Sequence, residues 1–162
     1  MEEENQHKKD SQSSITNSHW GRHFSVVHPV NIYGASFGDD CFVGPFVEIQ
    51  SSVVIGSRVR IQSHSFLCSN VSLGDDVFVG HGVMFINDKF SDGSRAHGNQ
   101  TKLGSTIVGQ GVLIGSNTTI LPVKICKGAV IGAGSVVTKD IEIPGVYVGN
   151  PAKLLHADEW VG

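Results

Sequence analysis

The chain has 162 residues, 17% of them charged, and a formal net charge of −3, which implies one domain and no global attraction to phosphate backbones or anionic membranes. No apolar run approaches the roughly 20 residues of a membrane span, and three cysteines, an odd number without zinc-ligand spacing, exclude a disulfide framework. Twenty glycines among many valines and isoleucines, with few aromatics, point to short strands and tight corners.

Residues 1–18 contain one large apolar residue beyond the initiator, Ile15. They can bury too little to offset ordering entropy, so a disordered or loosely attached tail is expected. The same stretch is acidic and polar without a signal-peptide core, which predicts a cytoplasmic protein. Residues 19–34 hold Trp20, Phe24, Val26 and Val27 and read as a cap over the first open end of the remaining chain.

From residue 35 the sequence is a repeat. Steps of six from Phe37 meet Val43, Ile49, Ile55, Ile61, Leu67, Leu73, Val79 and Phe85. Two residues before each lies a lattice of small residues or valine, running from Ala35 to Val83. A period of six fits neither a helix nor one continuous strand. It fits a short strand with two inward residues followed by a corner; three such faces close a triangular coil of 18 residues, stacked on the next by parallel pairing. The fold predicted for residues 35–151 is therefore an all-β parallel β-helix.

The register breaks once. Residues 88–105 are polar, with Phe90 and Leu103 as the large apolar exceptions, so they must loop out of the coil. Repeats resume at Val108, Ile114, Ile120, Ile125, Ile131 and Val137, with one five-residue step at Leu121-Pro122-Val123. Val146–Val148 adds a last strand, and residues 152–160 suit a short helix within a C-terminal cap over residues 152–162. This arithmetic gives five to six coils.

The hexapeptide lattice, with I-G-A-G-S-V-V-T-K-D at residues 131–140 and V-G-N-P-A-K at residues 148–153, resembles the hexapeptide-repeat acyltransferases. That resemblance implies a left-handed coil, a homotrimer and acetyl-CoA bound in clefts between subunits. Within the superfamily, D-D-V-F-V-G-H-G-V-M-F-I-N-D at residues 75–88 followed by an outloop resembles the N-acetyltransferases of nucleotide-linked 3-amino sugars. These serve bacterial surface polysaccharides such as O-antigen and lipopolysaccharide.

Counting along the coil places Asp39-Asp40, Ser57-Arg58 and Asp75-Asp76 on a first corner, a charged and solvated edge. Pro45-Phe46, Ser63-His64 and His81-Gly82 fall on a second; Ser51-Ser52, Ser69-Asn70 and Asn87-Asp88 on a third. His64 and His81, 17 residues apart, are expected to stack on one edge. Asn87 belongs to the next edge, over about 10 Å away within one chain. A site using both must combine edges of two copies, as a three-fold assembly allows.

Acyl transfer to an amine needs an acceptor that orients the neutral nucleophile, a role open to the Asn87 oxygen; transfer to a hydroxyl needs a base such as His81 or His64. The resemblance implies that Asn87 contacts the acceptor amine. It further suggests Ser116, Ala133 and Gly134 along the pantetheine arm of acetyl-CoA and Lys139 and Lys153 at its phosphates. Asp88, Lys89, Arg95 and Lys102, beside or within the outloop, are expected on the substrate side, the cations clamping its diphosphate. Each has a structural alternative: a corner cap for Asn87, exposed surface for the histidines, a plain insertion for the loop. Cys41 falls on the inward lattice, Cys68 and Cys126 just after apolar anchors, and all three read as structural. The late repeats lack paired histidines, so no metal is expected. The expectation is an acetyl-CoA-dependent N-acetyltransferase. The rivals are a histidine-based O-acetyltransferase and a non-catalytic assembly module.

Overall fold

The computed structural model describes residues 14–155. The chain is a left-handed parallel β-helix whose three faces are three parallel sheets. The first face stacks β1 (Ser14–Thr16), β3 (Asn31–Tyr33), β6 (Glu48–Ile49), β9 (Phe66–Leu67), β12 (Met84–Phe85), β15 (Thr119–Ile120) and β18 (Val136–Val137). The second stacks β4 (Ser36–Phe37), β7 (Val54–Ile55), β10 (Val71–Leu73), β13 (Thr106–Val108) and β16 (Lys124–Ile125). His19 and Ile141 extend it by one bridge at each end. The third stacks β2 (Ser25–Val26), β5 (Phe42–Val43), β8 (Arg60–Ile61), β11 (Phe78–Val79), β14 (Leu113–Ile114), β17 (Val130–Ile131) and β19 (Val146–Val148), closed by β20 (Lys153–Leu154). Seven strands on the first face make seven coils.

Each strand is short because only two residues per face point inward, and those residues are the lattice read from the sequence. Val43, Ile49, Ile61, Leu67, Val79, Phe85, Ile114, Ile120 and Ile131 are all at most 1% exposed and form one continuous axial core. Corners turn through the left-handed region, at Asp40, Ser52, Arg58, Asn70, Asp76 and Asn117 among others. Polar side chains suit that conformation because they can bond locally. The coils also press close: a Cβ added to Gly80 would lie 2.7 Å from the Ser116 nitrogen, so glycine there is steric necessity.

The ends differ from expectation. Ser14–Thr16 pairs with Asn31–Tyr33, and Ser25–Val26 pairs with Phe42–Val43. The supposed end of the tail and the supposed cap over residues 19–34 are therefore ordinary coils, and the count rises from five or six to seven. Their lattice, Phe24/Val26 and Val30/Ile32, sits one residue out of step with Phe37 because the corner at Gly34 is one residue short. At the other end Lys153–Leu154 is a strand, antiparallel to Tyr147–Val148, in place of the expected helix start. Folding back satisfies backbone groups that the last coil would leave open at its edge. The rest of the expected tail and of the C-terminal cap lies outside the described residues. Among the described residues no helix is long and apolar enough to cross a membrane.

Between Met84–Phe85 and Thr106–Val108 the chain leaves the coil at the edge joining the first face to the second. Its base is pinned by the Gly104 N–H donating to the Asn87 carbonyl at 2.8 Å.

Candidate active site

The edge between the third and first faces carries two columns of corner residues. Pro45, Ser63, His81, Ser116 and Ala133 form one; Phe46, His64, Gly82, Asn117 and Gly134, all at positive φ, form the other. His64 and His81 share this edge on adjacent coils but occupy different columns, which corrects the expected stack. The residue one full coil before His81 is Ser63, whose Oγ lies 2.9 Å from His81 Nδ1. The His64 ring instead packs on Phe46. The His81 N–H donates to Ser116 Oγ at 3.2 Å, and the Gly134 N–H donates to the Ser116 carbonyl at 2.8 Å. Thus His64, His81, Ser116, Ala133 and Gly134 line one edge. The Ser63 contact fixes the His81 ring plane and occupies one nitrogen, leaving Nε2 as its chemically available atom.

The next edge holds Asn87, half-buried at the foot of the insertion. Its Nδ2 donates to the Ser69 carbonyl at 3.2 Å and to Ser69 Oγ at 2.8 Å. A carbonyl can only accept, so it dictates which end of the amide faces it. Oδ1 is left as an acceptor to which no described residue donates. Asn87 borders two concavities. One, of about 320 Å³, is largely apolar, with Phe66, Met84, Ile86 and Phe90. The other, of about 380 Å³, lies under the insertion, with Arg95, His97 and Leu103.

Asp88 shapes that second concavity. Its Oδ1 accepts from the Phe90 N–H at 3.0 Å and its Oδ2 from the Ala96 N–H at 2.7 Å, so each oxygen already holds one backbone group of the loop. The Ala96 tether fixes the stretch bearing Arg95 and His97. Lys102 is also committed: its Nζ lies 2.6 Å from Asp92, and that contact, followed by Ser94, holds the Asp92 carboxyl below the usual carboxylate range. Arg95 and Lys89 are exposed, and only Arg95 of the two lines the concavity. Lys139 sits two coils on along the Asn87 edge, whereas Lys153 lies on the last strand, opposite Val148. The structure therefore separates those two lysines. Cys68 lines the apolar concavity, but burial pushes its thiol up to about 12, so it stays a neutral core group.

Two partners were missed in the sequence, Ser63 under His81 and Ser69 under Asn87. Both lie one 18-residue coil before the residue they hold, so the signal was the coil length itself.

A triangular parallel coil with one polar insertion at an edge defines a protein built from hexapeptide repeats. Residues 34–69 match the bacterial transferase hexapeptide (six repeats) family and residues 105–139 the hexapeptide repeat of succinyl-transferase. The bifunctional protein GlmU of Thermodesulfovibrio yellowstonii is 38% identical over 119 residues, 73% of this chain and 23% of that protein. That of a Synechococcus strain is 36% identical over 125 residues, 76% and 24%. The chain thus spans about a quarter of the length of these relatives. AntD of Bacillus cereus, an N-acyltransferase solved with dTDP and 3-hydroxybutyryl-CoA, superimposes with a TM-score of 0.74 at 24% identity, covering 85% of this chain and 81% of that one. A variant of perosamine N-acetyltransferase from Caulobacter crescentus, solved with CoA and GDP-perosamine, gives 0.62 at 21% identity, covering 89% and 58%. The chain is thus built from the hexapeptide repeats of the bacterial transferases and has the fold of the hexapeptide-repeat acyltransferases.

Proposed function

We propose that the chain is an acetyl-CoA-dependent N-acetyltransferase for the amine of a nucleotide-linked amino sugar, a 3-amino sugar of surface-polysaccharide biosynthesis. It works in the cytoplasm as a homotrimer, each site combining the Asn87 edge of one copy with the His81 edge of another. The observation that carries this reading is the orientation of Asn87: Ser69 holds the NH₂ end, so Oδ1 is a fixed acceptor beside concavities that a sugar can enter. The names of AntD and of the perosamine enzyme, with the nucleotides and CoA species bound to them, support the same class.

The chemistry follows from the groups present. Oδ1 accepts one N–H of the neutral amine and directs the nitrogen lone pair at the thioester carbonyl. The C–N bond forms and the C–S bond breaks. His81 Nε2, held by Ser63 through Nδ1, takes the proton that nitrogen loses and returns it to the departing thiolate. Arg95 and Lys89 offer cationic donors to a diphosphate. Ser116, Ala133 and Gly134 edge the groove for the pantetheine arm; Lys153 of that copy and Lys139 from the Asn87 edge of its neighbour reach the phosphate end of the donor from opposite sides of the boundary.

The same Ser63–His81 contact favours a second reading, O-acetylation, because a hydroxyl needs a positioned base. Free-thiol release from acetyl-CoA, measured with a panel of nucleotide-linked amino and hydroxy sugars, separates the two. Turnover confined to amino sugars is expected; turnover confined to hydroxy sugars refutes the amine. Absence of acetyl-CoA binding would make the chain a non-catalytic assembly module.

A further inference from the structure

The His81 edge carries an aromatic pair, Phe46 and His64, to which the amine transfer proposed above assigns no step. Phe46 sits at φ +61 and is 58% exposed. That corner requires left-handed backbone, and other coils fill the same column with His64, Gly82, Asn117 and Gly134. A bulky apolar side chain there gains little burial and adopts a conformation that glycine reaches freely. Its ring packs on His64, centroids 4.8 Å apart and planes at 31°, so two adjoining coils present one aromatic shelf. Beside the shelf lies a concavity of about 290 Å³ bordered by Pro29, Asn31, Phe46 and Glu48. Glu48 accepts a long contact through Oε1 from Gln50 at 3.4 Å and interacts with the Tyr33 hydroxyl; a carboxylate has about four lone-pair sites, so it can accept a further N–H.

We propose that the Phe46–His64 shelf stacks the nucleobase of a nucleoside diphosphate, with Glu48 accepting a base N–H. This rests on the nucleotide-sugar reading and deepens it by locating the base. The spacing fits: Phe46 is two coils before His81, about 10 Å along the axis at the parallel-strand spacing. A ribose and a diphosphate bridge that distance when the sugar lies at His81. Stacking tolerates any base because every base offers a π-face, and a carboxylate selects bases that present ring or amino N–H groups.

The test titrates dTDP, GDP and UDP calorimetrically into the full chain, as wild type, Phe46→Gly and Phe46→Trp, with acetyl-CoA titrations and sedimentation alongside. Glycine fills this corner position at Gly82 and Gly134, so Phe46→Gly is compatible with the fold. The expected result is that Phe46→Gly weakens nucleoside diphosphate binding about ten- to a hundredfold. Phe46→Trp retains it, and acetyl-CoA affinity and assembly are unchanged. Unaltered nucleotide affinity in Phe46→Gly overturns the shelf and leaves the nucleotide-sugar reading standing. So does an equal loss of acetyl-CoA affinity, or a changed oligomeric state, which would make Phe46 a contact between copies. A wild type that acetylates a free amino sugar and binds none of the three nucleotides overturns both.

Discussion

Replacing Asn87 by alanine separates a role in the reaction from a role in the corner. The side chain gives two hydrogen bonds to Ser69, at 3.2 and 2.8 Å, each contributing about 0.5–1.5 kcal/mol net. Their loss costs about 1–3 kcal/mol of stability. A domain of ordinary stability, about 5–15 kcal/mol, remains overwhelmingly folded after that, so unfolding cannot account for a large loss of activity. Removing the acceptor that aims the amine is expected to lower kcat/KM about 100-fold. Circular dichroism melting measures the first quantity. Thiol release at saturating acetyl-CoA, with the amino-sugar acceptor varied, measures the second. Asn87→Asp sharpens the comparison: it keeps an oxygen but sets a carboxylate against the Ser69 carbonyl, so it should not restore the aim. If Asn87→Ala keeps activity within about twofold while its melting temperature falls, the residue is a brace for Ser69 and the reasoning fails.

Other parts of the molecule give three further expected outcomes. Asp88→Ala, which frees the Phe90 and Ala96 N–H groups, should raise the acceptor KM about tenfold or more and leave that of acetyl-CoA unchanged; an unchanged acceptor KM would make the insertion a bystander. At the charged edge, hydrogen bonds to Arg22 and Arg58 hold the Asp39 and Asp76 carboxyls below the usual range. Their stabilisation is complete above the unfolded value near ~3.9 and is lost as pH falls through the lower folded values. Melting temperatures should therefore fall less steeply below pH ~4 in Asp39→Asn and Asp76→Asn than in the wild type, and parallel curves would contradict this. Burial raises the Cys41 and Cys68 thiols, so at mildly alkaline pH a disulfide reagent should titrate them only after unfolding; rapid reaction of all three cysteines in the folded protein would show that these sites open.

The sequence exposed the coil because the inward positions of a β-helix tolerate little but apolar residues, and a period of six has no other simple reading. Where a corner was one residue short, at Gly34, the lattice slipped and two coils passed for a tail and a cap. Lys153–Leu154 looked helical in isolation, since nothing local signals that the last coil offers an open edge to pair with. The site was legible by edge but not by column. Counting placed His81 and Asn87 on neighbouring corners, yet the positive-φ residue of each corner had to be distinguished from its neighbour to see that His64 meets Phe46 and His81 meets Ser63. The role of Asp88 was hidden for another reason: its partners, Phe90 and Ala96, lie in an aperiodic loop where spacing predicts no contact. Handedness entered through resemblance alone, because a six-residue period is the same for either hand.

The claim on which the proposed enzyme depends is that its site is divided between copies, and mixed assemblies test it. Asn87→Ala and His81→Ala chains are each expected to be inactive. In a ring of three, a boundary that takes Asn87 from a His81→Ala chain and His81 from an Asn87→Ala chain is intact. After co-refolding in equal amounts, about three-quarters of the trimers are mixed and each holds one intact boundary of three, so about a quarter of wild-type activity should return. A mixture no more active than its components would contradict the divided site.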